Sequence, residues 1–265
     1  MIWKNRSRSF CTLRIINNSF KTSKPLSEDS GRGITFNLMN QIENSFYTKS
    51  KKQQKQIQWK IAIAALLVNL LLFVVLWNVG WPFLIFIVFS ISISIIAPFF
   101  DTPSLIKSGK LAYFSPLFLA EKERNGIINI HGGTLFDYVF VLDKKWSGQQ
   151  RTKVILSCYV DGLLKMINHY QDVQSENLKI KGTSYILNER TANKIGLVKT
   201  RTSGVQTFIL LLNYVLLTIS YSISKARLSF PNIFKINTYE GNFEDIVKRK
   251  GYLLKLQGIL KSDRE

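Results

Sequence analysis

The feature that most constrains this chain is a stretch of forty residues, 61–100, that contains no Asp, Glu, Lys or Arg, although 20% of the whole sequence is charged. A helix rises about 1.5 Å per residue and the hydrocarbon core of a bilayer is about 30 Å thick, so this stretch is long enough for two crossings. Gly80 and Pro82, which stop helices, lie at its midpoint. The sequence therefore predicts a two-helix transmembrane hairpin, with spans at 61–77 and 83–99.

The positions of lysine predict the orientation of this hairpin. Lysines cluster just before the first span, Lys107 and Lys110 follow the second span, and the turn between the spans carries no charge. By the positive-inside rule we expect a multi-pass protein of the cell (plasma) membrane with its N-terminus, and also its C-terminus, in the cytoplasm. Lysine is attracted to anionic headgroups, and tryptophan rings favour the same layer. The predicted membrane-interface residues are Trp77, Trp81, Lys51, Lys52, Lys55 and Lys60.

The net charge of +19 has a membrane explanation. Proximity to an anionic membrane surface accounts for it, so a nucleic-acid partner is not predicted. The expected partners are the lipid bilayer, in particular its anionic headgroups, and a second copy of the chain or another membrane protein. Asn69 is the only strongly polar side chain of the first span. We expect it to hydrogen-bond across the hairpin or to a second copy, rather than to contact a substrate or ion.

The segment before the hairpin divides into two parts. Residues 1–38 are rich in basic residues, Ser and Asn and show no hydrophobic periodicity. We expect them to be a disordered tail, or a start-site artefact if translation begins at Met39. Residues 39–60 are rich in Gln and Lys. This composition predicts a basic cytoplasmic helix that continues into the membrane.

Periodicity changes after the hairpin and predicts a cytoplasmic α/β domain at residues 101–204. Strands are indicated by short β-rich apolar runs, and helices by apolar residues that recur every three or four positions. The predicted fold class is thus an integral membrane α-helical hairpin plus a small α/β cytoplasmic domain. The expected elements are a strand at 135–142, a segment at 126–130 that pairs with it or continues it through a bulge, a helix at 154–170, a strand at 178–186, and a helix opened by Asn188 and closed by Gly196.

One stretch of this domain has a family resemblance. Residues 185–197 read YILNERTANKIGL, with Asn188 before a helix that ends in Gly196. This stretch resembles the final strand-to-helix segment of the acyl-CoA-dependent N-acetyltransferases, which implies a transferase. That family also has a glycine-rich pyrophosphate loop before its long helix, whereas residues 145–151 contain a single glycine. The family is therefore not assigned, and no cofactor is predicted.

The most enzyme-like residues are His131 and Asp137, the candidate catalytic pair. His131 is followed by Gly132-Gly133, and a histidine near a carboxylate can act as a general base. The alternative, which we favour, is a turn in which both side chains are hydrogen-bonded surface or capping groups. Cys11 and Cys158 lie far apart with no paired-ligand motif. A metal site is therefore not predicted.

The C-terminal part contains two further segments. Residues 205–223 carry no charge but include several polar side chains, and they predict either a membrane-associated helix on the cytoplasmic side or a third transmembrane helix. Residues 224–265 predict a basic amphipathic segment with a helix that begins after Asn242. The function expected from this organisation is a structural, regulatory or interaction module at the membrane surface. The alternatives are a membrane-anchored enzyme, such as a transferase, and a transport component.

Overall fold

The structure is a computed structural model, and it describes residues 42–171, 178–184, 187–233 and 236–262. The predictions for residues 1–38, for Cys11 and for the last two positions of the strand at 178–186 lie outside this part of the chain. The fold is mixed α/β. The helices are α1 (Lys51–Asn78), α2 (Leu84–Ile96), α3 (Pro98–Lys107), α4 (Leu135–Val141), α5 (Gly148–Gln171), α6 (Glu189–Lys194), α7 (Gly204–Leu212), α8 (Tyr214–Lys225), α9 (Phe243–Lys248) and α10 (Lys250–Ser262). The strands are β1 (Leu111–Ser115), β2 (Phe118–Glu121), β3 (Ile127–Gly132), β4 (Lys179–Ser184), β5 (Val198–Thr200) and β6 (Asn237–Asn242).

Helix α1 is long and apolar, and it begins later than the sequence predicts. The Ser50 hydroxyl accepts from the Gln53 backbone N–H, and the Gln53 side chain accepts from the Ser50 N–H. This capping box fixes the helix start at Lys51 instead of residue 39. After a turn in which Gly80 has φ +79°, α2 runs back along α1. Asn69 Nδ2 donates to Ser92 Oγ across the two helices at 2.6 Å, which confirms the interhelical bond expected of this residue.

Length and composition qualify α1 as one helix that can cross a membrane. Two helix pairs in the described residues qualify only if each bent pair is counted as one span. These are α2 with α3, bent by 42°, and α7 with α8, bent by 71°. The helix predicted at residues 205–223 is therefore two helices that meet at Asn213. The Asn213 side chain donates to the Ile209 carbonyl at 2.9 Å, and such local bonds compete with helix continuation.

A six-stranded sheet forms the other part of the fold, with strand order β1-β2-β3-β4-β6-β5. Strands β3 and β4 are parallel, and the other neighbours are antiparallel. Helix α5 makes the crossover between the two parallel strands, as a parallel pair requires. The structure confirms the predicted helix at 154–170 as α5, the predicted strand as β4 and the helix after Asn188 as α6. Strands β1, β2, β5 and β6 were not predicted.

The strand predicted at residues 135–142 is wrong, because these residues form helix α4. The Thr134 N–H and hydroxyl both donate to Asp137 Oδ2, at 2.8 and 2.9 Å, which fixes the first turn of a helix. Four of the first five residues of this run, beginning with Leu135, are buried, and so is Val141. Apolar side chains on several sides suit a short buried helix as well as a strand, so the cap at Thr134 decides the conformation.

Two clusters of buried apolar side chains hold the fold together. The larger lies between the sheet and helices α5, α6, α9 and α10, with Ile128, Ile180 and Met166 fully buried within it. The smaller contains Phe46, Phe99, Leu135 and Phe136, together with partly buried side chains. Those partly buried side chains are Tyr47, Ile57, Ile61, Ile95, Phe140, Leu216, Ile219 and Ile223. This second cluster, called the junction cluster below, joins α1, α2, α3, α4 and α8.

Candidate functional site

A cleft opens where the parallel strands β3 and β4 separate. Their pairing ends at Ile130 and Gly182, although each strand continues for two more residues. Beyond that point β3 pairs only with β2 and β4 only with β6. Ligands of open α/β sheets commonly bind at the carboxyl ends of parallel strands. The residues that line the cleft are Thr102, Leu105, Leu111, Leu119, Glu121, His131, Gly132, Gly133, Thr134, Tyr138, Tyr159, Thr183 and Ser184.

The two glycines after His131 are explained by close packing. A Cβ atom on Gly132 would lie 1.8 Å from the Tyr159 hydroxyl oxygen, and one on Gly133 would lie 2.7 Å from a Leu117 methyl carbon. Both distances are shorter than any real contact, so a side chain at either position would displace Tyr159 or Leu117. The glycines bring Tyr159 over the strand end and make one wall of the cleft.

His131 lies on β3 and pairs with a glutamate from the neighbouring strand. Its Nε2 is 2.9 Å from Glu121 Oε1, and Asn129 Nδ2 donates to Glu121 Oε2 at 3.1 Å. Both side chains remain accessible, with 48% of the His131 side chain and 38% of the Glu121 side chain exposed. The carboxylate orients the imidazole and leaves Nδ1 as the ring nitrogen without a partner among the described residues.

Glu121 is held in its ionised form. Partial burial alone would raise the pKa of its carboxyl group, but the hydrogen bonds from Asn129 and His131 and the positive charge of Arg124 lower the pKa overall. An ionised carboxylate beside an imidazole stabilises the imidazolium that forms when the ring accepts a proton. The pair is therefore suited to act as a general base at the mouth of the cleft.

Asp137 belongs to a buried network and does not pair with His131. Its side chain is fully buried, and it accepts from Thr134, from the Tyr113 hydroxyl and from Asn44 Nδ2 at 3.1 Å. Burial raises the pKa of Asp137 to about 6, despite the hydrogen bonds from Tyr113, Thr134 and Asn44, which lower it. Burial and the nearby Asp137 carboxylate also raise the pKa of Tyr113. Asp137 thus caps α4 and ties three separate segments together.

The other predicted site residues lie along α1 and the turn after it. Lys51, Lys52, Lys55 and Lys60 are exposed near its N-terminal end. Trp77 and Trp81 are exposed at the opposite end, by 64% and 56% of their surface. Glu121 is the site residue that the sequence analysis missed. The dipeptide Asn125-Gly126 was the available signal, because both residues have positive φ, 53° and 75°, in the tight turn that brings β2 beside β3.

The start of α5 does not fit the pyrophosphate of coenzyme A, which the family resemblance implies. The Ser147 hydroxyl accepts from the Gln150 N–H, and the Gln150 side chain accepts from the Ser147 N–H. A Cβ on Gly148 would lie 2.3 Å from the Lys225 carbonyl oxygen, so the end of α8 covers this helix start. The first turn of α5 is therefore capped and covered by the chain itself.

No group of three or more His, Cys, Asp or Glu side chains in the described residues is arranged to hold a metal ion. Cys158 is buried on α5. The class that the fold and the cleft define is a mixed α/β protein with a six-stranded sheet and one long apolar helix. Comparison with known proteins goes no further, since no family model, curated protein or solved structure matches the chain.

Proposed function

We propose that this protein is a membrane-anchored enzyme that binds a small ligand in the cleft between β3 and β4. The observation that carries this proposal is the His131–Glu121 pair at the mouth of a cleft formed by two separating parallel strands. The cleft has a volume of about 370 Å³, which suits a small metabolite. Leucine side chains and hydroxyl groups line it, and Glu121 is the only acidic residue among the described residues of its lining.

The chemistry that this arrangement supports is general-base activation of an amine or hydroxyl group, which is the proton-transfer part of a group transfer. His131 takes a proton from an amine or hydroxyl group of the ligand through Nδ1, and Glu121 stabilises the resulting imidazolium. The negative charge of Glu121 favours a neutral or cationic ligand over a phosphate. The transferase class agrees with the resemblance of residues 185–197, but the covered start of α5 argues against coenzyme A as the donor.

Ligand-induced stabilisation of the full chain in detergent tests this proposal. A panel of small amines and polyols is screened for a rise in melting temperature, and hydrogen exchange then locates each hit. We expect protection at residues 128–134 and 180–184, and loss of the shift in His131→Gln and Glu121→Gln. His169→Gln removes the other histidine, outside the cleft, and should keep the shift. Hits that protect other regions, or that survive His131→Gln, would contradict the proposal.

The anchor is the second part of the proposal: residues 61–100 cross the plasma membrane twice, with both chain ends in the cytoplasm. Helix α1 supports this, because about 25 Å separate Lys60 from Trp77 at the rise of an α-helix, close to the hydrocarbon thickness. The apolar side chains along α1 are largely exposed, which suits contact with lipid. Residues 205–223 lie at the cytoplasmic face in this proposal, since α7 and α8 are bent by 71°.

Cysteine labelling distinguishes the two sides of the membrane. In a Cys11→Ser background, Val79→Cys places an exposed thiol in the turn and Lys110→Cys places one after the second span. A membrane-impermeant maleimide should label the first variant in intact cells and the second only after permeabilisation. A reporter that is active only in the cytoplasm, fused after Glu265, should be active. Equal labelling of both variants from outside would refute the hairpin.

An interaction module is the second candidate function, and the exposed apolar surface of α7 supports it. Val205, Phe208 and Leu212 are each more than half exposed. A photo-crosslinker at position 208 should give protein adducts in cells if this candidate is right, and a control at position 255 should not. Adducts with lipid alone would reject it. The third hypothesis, transport, has less support because residues 61–100 carry no charged group.

A further inference from the structure

Arg151, in the first turn of α5, is a buried cation without an anionic partner among the residues that the structure describes. Only 8% of its surface is exposed. Nη1 donates to the Ile223 carbonyl at 2.6 Å and Nη2 to the Lys144 carbonyl at 2.9 Å, while the buried Nε has no partner. The ion pairs seen in the described residues all involve other side chains. A buried guanidinium that binds two carbonyl groups but no anion is energetically costly, and an external anion would compensate it.

A pocket lies beside this guanidinium, between the start of α5 and the end of α8. Its volume is about 430 Å³. Thr218 also lines it, and the buried Thr218 hydroxyl oxygen has no hydrogen-bond partner. Lys144 adds a second positive charge, and no acidic residue is among the lining side chains. Three side chains around one pocket, two of them cationic and the third a threonine with an unpartnered hydroxyl, suit an anion.

The position of the pocket relative to the uncharged parts of α1 and α2 indicates the source of that anion. Ile219 and Ile223 line the pocket and also belong to the junction cluster. The same cluster contains Ile61, where the uncharged stretch of α1 begins, and Ile95, near the end of the uncharged helix α2. If those helices cross a bilayer, the pocket lies where they leave the hydrocarbon, at the level of the headgroups. Leu228, 76% exposed, adds an apolar rim.

We propose that this pocket binds one anionic phospholipid, with its phosphate close to Arg151, Lys144 and Thr218. The apolar side chains Ile219 and Leu228 would contact the glycerol and the first part of the acyl chains. This mixture of cations, a hydroxyl and an apolar wall matches an amphiphile better than a free phosphate ion. The inference rests on the membrane-anchoring half of the proposed function and is independent of the cleft between β3 and β4.

Native mass spectrometry of the full chain in detergent tests the site. The probes are dioctanoyl phosphatidylglycerol, dioctanoyl phosphatidylcholine with the same acyl chains, and inorganic phosphate. The wild type should retain one phosphatidylglycerol with an affinity about tenfold higher than that for phosphatidylcholine, because a hydrogen bond to a charged group is worth about that factor. Inorganic phosphate should bind weakly and should not displace the lipid.

Matched variants separate a defined site from diffuse attraction. Lys144→Gln and Thr218→Val should each weaken phosphatidylglycerol binding about tenfold, whereas Lys145→Gln removes an equal, adjacent charge that does not line the pocket and should bind as the wild type does. Thr218→Val keeps the side-chain shape and removes a hydroxyl without a partner, so its melting temperature without lipid should not fall. That measurement excludes misfolding as the cause of a loss.

Three results would overturn the proposal. These are equal affinity for the two lipids, equal losses in Lys144→Gln and Lys145→Gln, and inorganic phosphate that binds as tightly as the lipid, which would make this a free-phosphate site. Failure of the anchor is distinguishable, because the maleimide labelling of Val79→Cys and Lys110→Cys measures it separately. Selective phosphatidylglycerol binding together with failed labelling would support the lipid site and reject the transmembrane hairpin.

Discussion

The substitution Asp137→Asn should change how the stability of the protein depends on pH. Burial raises the pKa of Asp137 from 3.8 to about 6, so the folded state holds this proton more tightly than the unfolded state does. The free energy of unfolding therefore falls as pH rises from about 4 through 6 and is level above that. At 1.36 kcal/mol per pKa unit, the fall between pH 4 and 7 is about 2–3 kcal/mol. An asparagine at this position does not titrate, so the variant lacks this contribution.

Thermal unfolding of the full chain in a neutral detergent, followed by intrinsic fluorescence at several pH values between 4 and 7.5, measures this effect. The difference in melting temperature between variant and wild type should move about 5–10 °C in favour of the variant from the lowest to the highest pH. Other titrating groups cancel in that difference, and altered hydrogen bonds add only a constant. A difference that stays constant, or moves in favour of the wild type, would show that the donors around Asp137 keep it ionised and would refute the reasoning.

Two further predictions concern packing. A Cβ on Gly162 would lie 2.5 Å from the Phe118 ring, so Gly162→Ala should lower the free energy of unfolding by about 1–3 kcal/mol. A Cβ on Gly258 would have nothing within 4 Å, so Gly258→Ala should stabilise α10 by up to about 1 kcal/mol. Chemical unfolding measures both, and a Gly162→Ala variant that is as stable as Gly258→Ala would contradict this. Asn69→Val should remove the hydrogen bond to Ser92 and lower the free energy of unfolding by about 0.6–1.7 kcal/mol. Adding Ser92→Ala to this variant should cause little further loss, and a double-mutant cycle measures the coupling.

The elements that the sequence predicts well are those with local signals. Helix α5 has a regular apolar face, and α6 has a capping residue whose side chain accepts from the Thr191 N–H at 2.9 Å. Strand β6 has no such signal, since residues 237–242 read NTYEGN and alternate weakly. Its place between β4 and β5 depends on partners about forty residues or more away in the sequence. Non-local pairing of this kind cannot be read from periodicity.

The candidate site shows the same division. His131 was found from its chemistry, but proximity in the sequence suggested the wrong partner. Asp137 follows six residues later and is drawn into the cap of α4, whereas Glu121 lies ten residues earlier and reaches His131 across the β2–β3 pair. Assignment of the Asn125-Gly126 turn would have placed β2 beside β3 and brought Glu121 into view. The pocket at Arg151 depends on α8, which is remote in sequence from α5, and no local pattern predicts it.

The position of β6 between β4 and β5 has a consequence for synthesis of the protein. Strand β5 pairs only with β6, and the edge of β4 that faces away from β3 also pairs with β6. Neither pairing can form until residues 237–242 have been synthesised. At 5–20 residues per second, a ribosome needs about 2–8 s to make the residues from the end of β5 to the end of β6. During that interval the half-built sheet exposes unpaired backbone groups while α1 and α2 have already left the ribosome. Unpaired strand edges of this kind pair readily with other unfinished chains, so the synthesis of β6 removes a site of aggregation.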